Sequence, residues 1–289
     1  MVVTATVDGH SQIYVPSRNG QEFSVDIPLD NSQGEVTATI QVDALKPDPS
    51  GTGDLHRRLT GEYTLPAATP QTLAYDGDGN LLAGDGWTYA WNGEDRLASA
   101  EKDTLRLEFA YDYLGRRFEK KTYENGVLVK HRLFAYDGFQ PVAEYDALDD
   151  HALLHTFLWQ PGEEKTPLLL DGNRLYITDA NRNVVALLDP AGEATDTYLY
   201  DPFGNVAHTG TSPNPIQFSS EIFDQETGLV YYNYRYYNPK WGRWIKRDPM
   251  GEQGGVNLYA FVRNRTLDSV DTLGLKEKIW LFDFFNGYQ

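Results

Sequence analysis

One pattern limits what this chain can fold into: a residue pair, usually an aromatic followed by an acid or amide, that returns along the middle of the sequence. It stands at Tyr75-Asp76, Trp91-Asn92, Tyr111-Asp112, Tyr136-Asp137, Trp159-Gln160, Thr178-Asp179 and Tyr200-Asp201, at intervals of 16 to 25 residues. The best copies read Y-D-x-x-G: AYDGDGNLL at 74–82, AYDYLGRRF at 110–118 and LYDPFGNVA at 199–207. Each position has a physical role. The aromatic packs on a sheet, Asp caps the turn through its own backbone, Gly supplies positive φ, and an apolar β-former resumes the return strand. Runs such as Leu105 to Phe109 and Arg132 to Ala135 supply the other strand of each unit. A single unit of this kind cannot bury a face alone, so the units must stack on one another.

The flanks fit the same class. Residues 1 to about 45 alternate with period two through Val3, Ala5 and Val7, Ile13 and Val15, Phe23, Val25 and Ile27, then Val36, Ala38, Ile40 and Val42. Short alternating runs separated by Asp8-Gly9 and Ser32-Gln33-Gly34 read as antiparallel strands of a small sheet. Residues 46–57, KPDPSGTGDLHR, read as a loop and a domain boundary. A chain of 289 residues forms one large domain or two smaller ones. Its 26 Gly and 15 Pro punctuate it too often for long helices.

Charge narrows the partners. A net charge of −17 argues against nucleic acid and against an anionic membrane surface, both of which need a basic stripe. It serves solubility instead. With no cysteine there is no disulfide framework and no thiolate chemistry. MVVTATVDGH lacks the basic and apolar regions of a signal peptide, and no apolar run reaches the length of a membrane span.

Residues 228–275 are the densest part of the chain. Tyr231, Tyr232, Tyr234, Tyr236 and Tyr237 suit a ribbon that packs rings on both faces. Gly242-Arg243-Trp244, Asp248-Pro249-Met250-Gly251, Asn257-Leu258-Tyr259 and Asp271-Thr272-Leu273-Gly274-Leu275 follow. In this order and spacing they resemble the Rhs-repeat-associated core domain of Rhs and YD-repeat proteins, which include the C subunits of bacterial Tc toxins. The upstream units are similar to YD repeats. The resemblance implies a mainly β fold: an antiparallel YD-repeat β-strip, a partial β-shell, closed by an Rhs core domain and preceded by a small N-terminal β region. The expected divisions are 1–57 for the N-terminal region and linker, 58–208 for the strip, 209–275 for the core domain and 276–289 for a tail. Seven units are too few to close a large shell, so an open strip, a fragment of a longer parent or an oligomer is expected.

The resemblance also implies chemistry. Two carboxylates brought close share a proton, so one can act as base toward water and the other as acid toward a leaving amide. Carried over by motif position, Asp248 and Asp271 with Arg235 form a self-cleaving aspartyl site, and the scissile bond is Leu275–Lys276. The chain departs from the family pattern at Thr272, where proline is usual, and at Glu252, where an apolar residue is usual. Without the ring that fixes φ, the turn before Leu275 is expected to be looser and the cut slow or absent. The partner is then the chain's own C-terminal segment or a toxin cargo, together with upstream shell or secretion-system components. The setting is an exported bacterial protein, secreted or at the cell surface. The fourteen residues 276–289, KEKIWLFDFFNGYQ, are too few for a folded toxin and read as a docked strand or the start of a cargo.

Other readings compete. An adhesion module could stack sugar rings on a Tyr/Trp face, and a domesticated remnant would have neither cargo nor activity. Asp76-Gly77-Asp78-Gly79-Asn80 resembles the front of a calcium loop but lacks Gly at the sixth place and Glu at the twelfth. His151 and His155 have a metal-compatible spacing without a third ligand. No cofactor and no metal is expected.

Overall fold

The computed structural model describes residues 2–19, 22–25, 27–46, 55–65, 73–162, 166–266, 269–275 and 277–279. The chain divides into two compact units, Met1–Thr72 and Leu73–Gln289.

The first unit is antiparallel. Strands β1 (Val2–Val7), β2 (His10–Tyr14), β5 (Val36–Lys46) and β6 (Leu55–Leu65) form a sheet in the order β2-β1-β5-β6, and β3 (Ser17–Asn19) pairs with β4 (Glu22–Ser24). Alternation places Val3, Ala5 and Ala38 in its core. β5 and β6 pair in unbroken register from Val36↔Leu65 to Lys46↔Leu55. The Pro/Gly-rich segment read as a boundary therefore falls between two paired strands, its residues 47–54 lying outside the described ones. The compact unit runs on to Thr72 rather than ending at residue 57.

The second unit holds one sheet of 14 strands in strict sequence order. These are β7 (Ala74–Tyr75), β8 (Leu81–Gly84), β9 (Trp87–Trp91), β10 (Leu97–Lys102), β11 (Leu105–Tyr111), β12 (Arg117–Glu124) and β13 (Val127–Asp137). They continue as β14 (Gln140–Asp146), β15 (Ala152–Trp159), β16 (Pro167–Leu170), β17 (Arg174–Thr178), β18 (Val184–Leu188), β19 (Ala194–Tyr200) and β20 (Val206–Thr209). The sheet is open, with β7 and β20 at its edges. No helix among the described residues is long and apolar enough to cross a membrane.

Six of the seven repeat starts, all but Tyr136, begin with the last residue of an odd-numbered strand from β7 to β19, and Tyr136 is the last but one of β13. The following side chain makes the turn. The Oδ1 atoms of Asp76, Asn92, Asp112, Asp179 and Asp201 each accept backbone N–H groups two and four residues on. The fourth turn residue is left-handed, and where Gly79, Gly115 and Gly204 occupy it the conformation costs little. Asp95 (φ 56°) and Arg182 (φ 65°) adopt it without that freedom. The aromatic ties each unit to the one before. Trp91 donates to Leu81 O, Tyr111 to Leu97 O, Tyr136 to Arg117 O, Trp159 to Pro141 O and Tyr200 to Val184 O, at 2.6–3.0 Å.

Four strands complete the closing element: β21 (Ile222–Asp224), β22 (Leu229–Tyr232), β23 (Arg235–Asn238) and β24 (Arg243–Trp244), paired in that order. A last pair, β25 (Ser269–Asp271) and β26 (Glu277–Ile279), is antiparallel with Asp271 opposite Glu277. The tyrosine-rich hairpin β22–β23 is buried on both faces. Tyr231 and Tyr236 pack with Leu81, Tyr89, Leu107 and Leu187 of the strip, while Tyr232 and Tyr237 pack with Phe218, Trp244 and Phe261. Burying each such leucine or ring contributes roughly 1.5–3 kcal/mol, which is what holds the strip on the closing element.

Candidate functional site

The site grows out of the alternation in β23. Tyr231 faces Tyr236 across the hairpin and Tyr232 faces Arg235, so Arg235 shares a face with Tyr232 and Tyr237. Its guanidinium stacks 4.1 Å from the Trp244 ring centroid, and the residue is 3% exposed. Such a cation needs partners, and two motif elements distant in sequence supply them. Arg235 Nη1 lies 2.9 Å from Asp248 Oδ2 and Nη2 lies 3.3 Å from Asp271 Oδ2. Its Nε donates to Gly274 O at 2.5 Å.

Each acid is held by its own local structure. Asp248 Oδ1 accepts Met250 N–H at 2.8 Å across Pro249, and its backbone N–H donates to Leu258 O. Gly254 packs on this carboxylate so closely that a Cβ there would collide with Oδ2. Asp271 ends β25 and gathers the next turn, Oδ1 accepting the N–H groups of Leu273, Gly274 and Leu275 at 2.8–3.2 Å. Gly274 takes φ 73°, and a Cβ there would stand 3.0 Å from Tyr232 O, so any other residue would be strained at this position. Leu273 O accepts Tyr234 N–H, docking the turn on the hairpin.

The electrostatics follow from counting charges. One guanidinium faces two carboxyl groups in a site where both acidic side chains are at most 7% exposed. Burial pushes the Asp248 carboxyl above its ordinary value, the Asp271 charge adds to this, and Arg235 opposes it. Burial likewise lowers the Arg235 guanidinium, against the pull of the two acids. The cluster opens on a cavity of about 550 Å³ whose wall includes Glu252, Arg263, Asn264 and Leu275.

Arg235, Asp248 and Asp271 thus converge, and Leu275 lines the cavity they face. Lys276 and residues 280–289 lie outside the described residues, while 277–279 pair with β25. Thr272 sits within the turn that Asp271 gathers, a turn fixed by hydrogen bonds and a close-packed glycine without help from a proline ring. The aspartate-rich stretch 76–80 is a repeat turn. His151 occupies a turn with φ 59°, and His155 lies on β15 beside Asp171. Among the described residues no group of three or more His, Cys, Asp or Glu side chains could hold a metal. The hairpin rings Tyr231, Tyr232, Tyr236 and Tyr237 are buried, and the repeat rings Tyr75, Trp91, Tyr111, Trp159 and Tyr200 are partly buried against the core.

Two charged features escape a reading of the sequence. Arg117, fully buried, pairs through both terminal nitrogens with Asp224, which also takes Lys120 at 2.8 Å. Its guanidinium lies 4.6 Å from the Tyr231 ring, so it joins β12 to the closing element. Lys246 is 7% exposed and donates to Asp95 O at 2.7 Å. Alternation at the start of β12 would bury Phe118, which is 38% exposed, rather than Arg117, so the sequence carries no signal for Arg117. For Lys246 there is none either.

Known proteins share this fold. The family described as Teneurin YD-shell matches residues 66–265. The tRNA3(Ser)-specific nuclease WapA of Bacillus spizizenii is 28% identical over 241 residues, which is 78% of this chain and 10% of that protein. Toxin protein Tse5 of Pseudomonas aeruginosa is 28% identical over 247 residues, covering 70% of this chain and 18% of Tse5. Toxin subunit YenC2 of Yersinia entomophaga is 40% identical over 88 residues, 28% of this chain and 9% of the subunit. The solved structure of TcdB2-TccC3-Cdc42 aligns with a TM-score of 0.59 at 21% identity, over 83% of this chain and 14% of the solved one. The chain therefore spans between a tenth and a fifth of the length of the nuclease and of Tse5.

Proposed function

Since the chain belongs to the teneurin YD-shell family and is related to polymorphic toxins, we propose that it closes a shell and frees a C-terminal polypeptide by cutting itself after Leu275. A single observation carries this reading: Arg235 binds Asp248, Asp271 and the carbonyl of Gly274 at once, one residue before the bond in question.

The chemistry is hydrolysis. A water adds to the Leu275 carbonyl carbon and gives a proton to Asp271, whose turn bonds already hold the segment in place. The C–N bond to Lys276 breaks as that nitrogen takes a proton from Asp248, the acid that burial keeps protonated to higher pH. Arg235 orients both carboxyl groups and fixes the strand through Gly274 O. The substrate is the chain itself. In a longer parent the released piece is a toxin cargo, the shell continues upstream, and the protein works after export from a bacterium.

Intact-mass spectrometry of the full chain tests this. The wild type loses the mass of residues 276–289 with time, and Asp248→Asn stays whole. A wild type that remains intact, or an Asp248→Asn chain cut at the wild-type rate, contradicts the proposal.

A further inference from the structure

The two sides of the bond after Leu275 are held by different means. Before it, two side chains and a close-packed backbone fix the turn. Asp271 Oδ1 accepts the N–H groups of Leu273, Gly274 and Leu275, Arg235 Nε donates to Gly274 O at 2.5 Å, and Tyr234 N–H donates to Leu273 O at 3.2 Å. A Cβ on Gly274 would press on Tyr232 O, so this side tolerates little change.

Beyond the bond the hold is a ladder. β26 runs antiparallel to β25, with Ser269 opposite Ile279, Val270 opposite Lys278 and Asp271 opposite Glu277. β25 is buried along its length, and among the described residues β26 is the one strand that pairs with it. Asp271 therefore holds both flanks: its side chain gathers residues 273–275 and its main chain stands opposite residue 277. Directly opposed residues of an antiparallel pair lie about 4.5–5.5 Å apart at Cα. Residues 272–276, with the bond inside them, thus form a short loop whose two ends meet at one of the two acids.

We propose that the site recognises the piece it releases as a β-strand added to β25, through main-chain hydrogen bonds and not through the side chains of residues 277–279; this rests on the self-cleavage reading. A main-chain ladder asks only for an extended segment with its N–H groups in place. The released polypeptide can therefore begin with any sequence that pairs, and proline within those three positions is excluded. When the ladder is lost the loop opens, and the Leu275 carbonyl spends less time against the two acids.

The experiment follows self-cleavage of the full chain by intact mass for wild type and two variants. Glu277→Thr/Lys278→Thr/Ile279→Thr changes every side chain of β26 and keeps its N–H groups, and its rate should stay within about threefold of wild type. Lys278→Pro/Ile279→Pro removes at least one ladder donor whichever way the bonded pairs alternate, and its rate should fall about tenfold or more. A threonine variant slowed as much as the proline one, or a proline variant cut at the wild-type rate, overturns the proposal. A wild type that never cleaves sinks the self-cleavage reading and leaves the strand recognition to amide hydrogen exchange in the uncut chain. Protection at residues 277–279 that survives the threonine changes supports it, and protection lost with those side chains overturns it. The same exchange comparison decides the matter if the proline variant does not fold.

Discussion

The guanidinium of Arg235 has one charge to share between two carboxyl groups, so the cluster holds a proton readily. Arg235→Lys keeps the charge but loses the fork and the bond to Gly274 O, and cleavage should fall by about a hundredfold or more in a mass-spectrometric time course. The rate should also fall as pH rises through the raised value of Asp248, because the acid that protonates the leaving nitrogen is then lost. Thr272→Pro should change the rate far less than Asp271→Asn does, because Asp271, Arg235 and Tyr234 already fix the turn. At this scale Arg235, Asp248 and Asp271 were legible because three motif elements kept the order and spacing of a known family. Lys246 was not, since a buried lysine and a solvated one are written with the same letter. Nor was the close packing of Gly254 and Gly274, which depends on what another segment brings against them.

Hairpins carry the next level. Asp112→Ala removes the acceptor of two turn N–H groups and the partner of Arg116, and should lower stability by about 1–2 kcal/mol in urea unfolding. The joint between strip and closing element is the buried Arg117–Asp224 pair. Asp224→Asn leaves the Arg117 charge inside without its partner and should cost about 3–5 kcal/mol. The pH dependence of this joint has a definite sign. Burial works to raise the Asp224 and Glu226 carboxyl groups, but Arg117 acting on Asp224 and Lys120 acting on both hold them below their ordinary values. Their stabilisation is complete above the unfolded values and disappears as pH falls through the lowered ones. Asp248 works the other way, its raised value making the fold less stable as pH climbs through it. Acid unfolding followed by tryptophan fluorescence should therefore begin at higher pH in Lys120→Met. The turns were legible because Y-D-x-x-G names its own geometry. The bonds from each aromatic to the preceding unit were not, because sequence shows which residues recur and not which carbonyl they reach.

The whole second unit is a strip wound in chain order against a core that its own C-terminal part supplies. Order along the sheet was readable, since short antiparallel connections leave neighbours in sequence as neighbours in space. A Pro/Gly-rich stretch can join two paired strands as readily as two domains, and composition alone does not tell the two apart; here the stretch lies between β5 and β6. What the molecule does turns on whether the three motif elements and the bond after Leu275 form one hydrolytic site. The most direct measurement is self-cleavage in water enriched in oxygen-18, followed by fragmentation of the C-terminal peptide. A fragment ending at Leu275, with one heavy oxygen in that residue's carboxyl group, is the predicted result. A chain that stays whole, a cut elsewhere, or the heavy oxygen lodged in Asp248 or Asp271 would contradict it.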